Sequence, residues 1–321
     1  MIRDDLLSTC SSVNRRVNNC PQLHSTSMDS TLPTAKSLKE HYQSSPRSPN
    51  LITGSESTDQ ILLTQPSPPF KSEHITNFSC LFRNDYTTVF KVTAGDKHFI
   101  LKRSAYQKIK REAAIGLILN SYSSFPQTYG LHEYPVFYSM RGNWLQSDQN
   151  QPYLVQEFCP RDPWFLTERQ QVEIFLQVLL NLYETAGIGF THNDLHRDNI
   201  LIQKHTSPVS IILAGINLSV TTTIKIIDFE YSRLLHNKKV IAVTRSESYI
   251  SENYQPIRDL VTFLVQIKLS PLGEYLWSTF FSSPITDEIF PFWGYPPSDL
   301  TLDQVWKKLN QYPTVQEILT Q

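Results

Sequence analysis

Near the middle of the chain the block His192-Asn193-Asp194-Leu195-His196-Arg197-Asp198-Asn199 runs straight into the apolar stretch Ile200-Leu201-Ile202. A second apolar stretch, Ile224 with Ile226-Ile227, ends on Asp228-Phe229. Each polar cluster therefore sits beside a strand signal, and this constrains the fold more than any other feature. Asp194 and Asn199 stand five residues apart, and Asp228 supplies a second acid. Phosphoryl transfer needs such a set. One carboxylate takes the proton of the incoming hydroxyl, while an Asn and a second Asp hold Mg²⁺ on the phosphates of ATP.

Three upstream features extend the pattern. Phe99-Ile100-Leu101-Lys102 reads as a strand ending on a lysine, and Glu112 follows ten residues later in a helical stretch, 108–120. A third apolar run, Pro152-Tyr153-Leu154-Val155, continues into Gln156-Glu157-Phe158-Cys159. Taken with the first two blocks, H-x-D-x-x-x-x-N and D-F-x, these segments resemble the protein-kinase-like superfamily over roughly 78–264. The resemblance implies a role for each. Asp194 is the catalytic base, Asn199 and Asp228 are the metal ligands, and Lys102 is the phosphate lysine held by Glu112. Glu157 and Cys159 become the hinge whose backbone meets adenine, with Gln156 at the gatekeeper position. His196, two residues after the base, stands where most Ser/Thr kinases carry Lys. In this it resembles haspin-like kinases and the aminoglycoside and choline phosphotransferases, and His196 is the second catalytic candidate. ATP and Mg²⁺ are the implied cofactors.

The rest of the sequence arranges itself around these blocks. Residues 1–70 hold 20 Ser or Thr and seven Pro but only two aromatics, Tyr42 and Phe70. Such a segment buries too little apolar surface to offset its ordering entropy, so the expectation is a disordered tail over 1–74 with order beginning near Asn77. It contains Ser45-Pro46, Ser48-Pro49 and Ser67-Pro68, which read as linker chemistry or as proline-directed phosphorylation sites. Strands are expected at 78–82, 89–94 and 98–103, with a tight turn at Ala94-Gly95-Asp96-Lys97. The stretch 122–151 is poorly patterned and should include another strand. Apolar residues at 172, 175, 176, 179, 180 and 183 share one helical face, which predicts a helix over 170–186. Asn199 to Asp228 is long for two strands, so 214–223 reads as an insertion between strands at 209–213 and 224–227. An apolar helix over 256–267 carries Asp259, by resemblance the anchor of the catalytic-loop backbone. The expected architecture is α+β and two-lobed. An antiparallel-sheet N-lobe and hinge span 75–159, and a small helical C-lobe spans 160–321.

Several positions depart from the family pattern. Phe82, Asn84 and Thr87 replace the glycines of the phosphate loop, which makes close backbone approach harder and leaves Arg83 as a candidate phosphate contact. Asn193 replaces the Arg before the base. Glu230 replaces the glycine of D-F-G and should restrict flipping of that motif. No A-P-E block follows; 244–249 reads Thr-Arg-Ser-Glu-Ser-Tyr. These features resemble atypical, haspin-like Ser/Thr protein kinases and divergent kinases of large viruses and intracellular bacteria. Asp228-Phe229-Glu230-Tyr231-Ser232 also looks like choline and ethanolamine kinases. The function expected is an ATP-dependent phosphotransferase acting on a protein hydroxyl. The alternatives are a small-molecule kinase and a non-catalytic pseudokinase module. A net charge of −1 gives no reason to assign a nucleic-acid partner. No apolar run is long enough for membrane insertion. Cys10, Cys20, Cys80 and Cys159 lack metal-ligand spacing and read as free thiols of a reducing, cytoplasmic compartment, the host cytoplasm in the case of a viral or bacterial effector.

Overall fold

The computed structural model describes residues 55–140, 143–241, 255–267, 270–281 and 300–319. Cys10, Cys20, Ser45, Ser48 and the segment 244–249 lie outside the described residues.

The class is mixed α+β, built on an antiparallel five-stranded sheet and several helices. Strands β1 (Ile75–Arg83), β2 (Thr88–Ala94) and β3 (Lys97–Arg103) follow one another as a meander. Helix α2 (Tyr106–Leu119) then crosses to the hairpin β4 (Thr128–Met140) and β5 (Asn143–Glu157). The sheet order is β1-β2-β3-β5-β4, every pair antiparallel. In β2 the alternation of Phe90, Val92 and Ala94 with half-buried neighbours points one face at Phe99, Leu101, Tyr153 and Val155. Gly95 takes φ +64, which the two-residue turn between β2 and β3 requires.

The helical half is organised around α3 (Glu168–Glu184), in which every residue from Val172 to Tyr183 is buried. A helix covered on all sides belongs at the centre of a core. It starts two residues earlier than expected, because Thr167 and Gln170 form a reciprocal capping box. The hairpin β6 (Ile200–Leu213) and β7 (Ile216–Ile226) lies along it. The buried Glu173 carboxylate accepts from Thr221 N–H at 3.0 Å. Gln177 donates to Thr222 O at 2.7 Å and accepts from Ile224 N–H at 3.2 Å. The expected insertion at 214–223 is thus no separate loop. The extra residues lengthen both strands, and only Ala214-Gly215 turn. A small hairpin follows, β8 (Leu234–His236) with β9 (Lys239–Ile241). Helices α4 (Pro256–Gln266), α5 (Pro271–Phe280), α6 (Leu302–Leu309) and α7 (Pro313–Leu319) complete this half. None of the described helices is long and apolar enough to cross a membrane.

The expected start of order is corrected. Helix α1 (Ser55–Leu63) precedes the sheet, and Ile61 and Phe70 are both buried. Composition averaged over seventy residues hides the few apolar side chains that dock. The 122–151 stretch is the second difference. It forms most of a long hairpin, because paired neighbours hold the polar sequence 146–151 extended where intrinsic propensity would not.

Candidate functional site

Lys102, near the end of β3, points to the face opposite Phe99 and Leu101 and is buried, as is Glu112 on α2. Its Nζ donates to Glu112 Oε1 at 3.0 Å and lies 2.9 Å from Oε2. The same Nζ donates to Asp228 Oδ1 at 2.6 Å. Burial disfavours the ammonium charge, but Asp228 and Glu112 outweigh it and hold Lys102 well above its ordinary value. Burial likewise pushes the Glu112 carboxyl up, against the pull of Lys102. With two carboxylates on one amine, the lysine keeps the proton. Burial alone would raise Asp228, yet the ammonium and the Glu230 N–H hold its carboxyl below the usual range. Lys108, the other possible partner of Glu112 on its own helix, instead pairs with Glu230. That ion pair ties the residue replacing the D-F-G glycine to α2.

The loop between α3 and β6 carries Asp194, His196 and Asn199. Buried Asp259, in the first turn of α4, accepts from His192 N–H at 2.6 Å and from Asn193 N–H at 2.8 Å. Burial pushes its carboxyl up to about 7 in spite of those two donors. Asn193 has φ +64, a left-handed conformation that Asn tolerates better than most residues, and its Nδ2 donates to Tyr231 O at 3.0 Å. The loop is pinned to the D-F-E segment as well. His192 Nε2 donates to Ile227 O at 2.9 Å, and Thr191 and Arg233 exchange both backbone hydrogen bonds at 2.8 Å. Ile227 N–H donates to Asn199 O at 2.9 Å, and Ile200 pairs with Ile226. The β6–β7 register therefore sets Asn199 opposite the residue before Asp228. Asp228 itself takes φ +66, an unusual backbone for a non-glycine residue and one that recurs at functional sites.

Asn199 Nδ2 donates to Asp194 O at 2.9 Å and lies 3.2 Å from His196 Nε2. Its Oδ1 takes part in no hydrogen bond among the described residues. His196 Nδ1 meets the Asp198 N–H at 3.2 Å, and Nε2 stands 3.8 Å from Asp194 Oδ2. Burial pushes the His196 pKa down, so the ring is neutral. A neutral ring accepts on only one nitrogen, so the contacts from Asp198 and Asn199 compete for it.

The residues fit Mg²⁺. One ammonium against two carboxylates leaves one negative charge in the Lys102 cluster. The Asp228 side chain is 38% exposed, and Asn199 Oδ1 offers a second hard oxygen. Among the described residues no group of three or more His, Cys, Asp or Glu gathers as a metal centre. The pair Asn199 and Asp228 suits an ion that keeps waters and shares phosphate oxygens.

The hinge candidates differ from one another. Glu157 N–H donates to Gln127 O at 2.8 Å, and its carboxylate accepts from Gln127 N–H at 3.1 Å. The Cys159 backbone is in no hydrogen bond among the described residues, so Cys159 is the better placed to receive a base edge. Its thiol is free, and burial beside Glu157 pushes it up to about 12. Gln156 is buried and donates to Thr128 Oγ1 at 3.1 Å.

The β1–β2 turn closes on itself. Asn84 Oδ1 accepts from Tyr86 N–H at 2.9 Å and from Thr87 N–H at 2.7 Å. This Asx turn replaces the glycine loop and occupies amides that a phosphate would otherwise meet. Arg83 sits over the Trp144 ring at 5.5 Å.

Residues 165–250 match the family described as haspin-like kinase domain. A comparison with curated proteins found no match. The matched segment spans α3, the Asp194 loop, the β6–β7 hairpin and the D-F-E motif, and it supports a kinase-like phosphotransferase. The chain is thus protein-kinase-like, and over residues 165–250 it is similar to the atypical, haspin-like kinases.

Proposed function

We propose that the chain transfers the γ-phosphate of ATP to a Ser or Thr hydroxyl of a protein. The observation that carries this reading is the continuous polar chain from Glu112 through Lys102 to Asp228, set beside a loop that Asp259 pins by two backbone amides. Asp194, with its side chain only 15% exposed, orients the incoming hydroxyl and takes its proton on a carboxylate oxygen. Lys102 meets the phosphates, and Glu112 fixes its direction. Asn199 and Asp228 hold Mg²⁺, which when bound offsets phosphate charge. Neutral His196 accepts from the Asp198 N–H on Nδ1, which leaves Nε2 to carry the proton and face the Asp194 carboxylate. Cys159 offers its backbone to the adenine edge, with Glu157 bracing the strand end. The domain reading follows the same lines, with the nucleotide between a sheet half and hinge over 75–159 and a helical half over 160–321.

A second reading, a pseudokinase module, has one observation in its favour: the Asn84 turn leaves the Tyr86 and Thr87 amides no freedom to cradle phosphate. Transfer of label from γ-labelled ATP separates the two. The purified chain is offered itself, generic proteins, and choline, ethanolamine and an aminoglycoside. Label on protein Ser or Thr supports the proposal. Label only on a small alcohol moves the substrate class, and no label with any acceptor favours the module.

A further inference from the structure

Residues ahead of the sheet grip the helix that carries Glu112. Ile61 of α1 joins the core with Ala114, Ile115 and Leu119 of α2, and Leu62 packs against the cluster of Ile109, Ala113 and Leu154. Lys110 is buried and pairs with Asp59 of α1. Two residues along a helix are about 200° of rotation, so Lys110 and Glu112 face opposite ways. Helix α2 is therefore held on one side by α1 and on the other by Lys102.

After α1 the chain is fixed twice more. Gln65 copies a strand's pairing on the edge strand β4: its Nε2 donates to Leu131 O at 2.9 Å, and Leu131 N–H donates to its Oε1 at 2.8 Å. Gly130, at φ +105, makes room for it, since a Cβ there would stand 2.2 Å from Gln65 Oε1. Phe70 then stacks on Tyr134 at 4.7 Å, and the Tyr134 hydroxyl donates to Phe70 O at 2.9 Å.

We infer that residues 55–70 form a positioning strap, in which Asp59 pairs with α2 and Gln65 anchors the following chain to β4, so that α2 stays where Glu112 can keep Lys102 directed at the nucleotide. The inference rests on the phosphotransferase reading for its consequence, though not for its geometry. Asp59 and Gln65 are positioning residues and touch no reacting atom. A purely structural strap would lower stability without changing the Lys102 environment.

Two measurements on the full chain decide the point, each with Asp59→Asn and Gln65→Ala. Asp59 is half exposed, so its variant perturbs folding least. The first is the rate at which an amine-reactive acylating reagent labels Lys102, read by mass spectrometry. Release of Lys102 from Glu112 should raise that rate severalfold in both variants, and an unchanged rate in both overturns the strap. The second is MgATP affinity in Lys102 and Lys102→Met backgrounds. Each strap variant should weaken binding about tenfold with Lys102 present and less than about twofold without it. Equal loss in both backgrounds overturns the inference. If the wild-type chain binds no MgATP, the phosphotransferase reading fails, while the labelling rates still decide the strap.

Discussion

His192 shows how one buried side chain ties the catalytic loop to the acid stability of the whole chain. Its ring is fully buried, Nε2 donates to Ile227 O, and burial pushes its pKa down to about 4 from the ordinary 6.5. The folded ring stays neutral while the unfolded one takes a proton below about 6.5. Its contribution is therefore complete above that pH and is lost as pH falls through about 4, with an upper size of about 3 kcal/mol. Asp259, pushed up to about 7, acts with the opposite slope, losing stability as pH rises from 3.8 through about 7. The two are separated by comparing variant with wild type. His192→Gln should be less stable at neutral pH, and its deficit should shrink as pH falls from about 6.5 to 4. Denaturant melts across that window check this, and a constant deficit would show that His192 does not titrate as described. Asp194 and Asn199 are five apart in one loop, so their proximity was legible in the sequence, whereas Asp228 is brought beside them by the β6–β7 register. The Lys102–Glu112 pair follows from the resemblance, and the structure forms it in preference to the alternative on the same helix. Lys108 is the neighbour of Glu112 at i, i+4, and only the three-dimensional placement of Glu230 draws Lys108 away and leaves Glu112 to Lys102.

Among the elements, β2 could be read from its alternation, and α3 and α4 from the density of apolar residues in helices that are buried nearly all round. The strap and the distal part of the β4–β5 hairpin could not. Gln65 docks through a side-chain amide on backbone groups, an interaction with no sequence period, and 146–151 is extended only because β4 pairs with it. The hairpin β6–β7 was half legible: its ends were apolar, while the middle, Ser219 to Thr223, is polar and is held by Glu173 and Gln177 of α3. One consequence is quantitative. A chain lacking residues 1–70 loses the burial of Ile61 and Phe70, and should be less stable than a chain lacking only 1–54 by about 3–5 kcal/mol. Phe70→Ala alone should cost about 3 kcal/mol. Chemical denaturation of the two truncations and the point variant measures this, and equal midpoints would mean that the segment does not pack on the sheet.

At the scale of the whole molecule, the sheet half supplies Lys102 and Glu112 and the helical half supplies Asp194, Asn199 and Asp228. A ligand that engages both sets binds the native chain and not the unfolded one, so millimolar MgATP should raise the melting temperature. Asp228→Ala should remove the metal-dependent part of that shift, and a full shift in the variant would exclude Asp228 as a ligand. The central claim is that Asp194 accepts the substrate proton at a site whose nucleotide is held by other residues. Asp194→Asn preserves the size and reach of the side chain and removes the basic carboxylate. Phosphoryl transfer from labelled ATP, measured for wild type and Asp194→Asn beside MgATP affinity, tests this most directly. The account predicts a loss of about 10²–10⁴-fold in transfer with MgATP affinity nearly unchanged. Transfer at the wild-type rate in Asp194→Asn would contradict it.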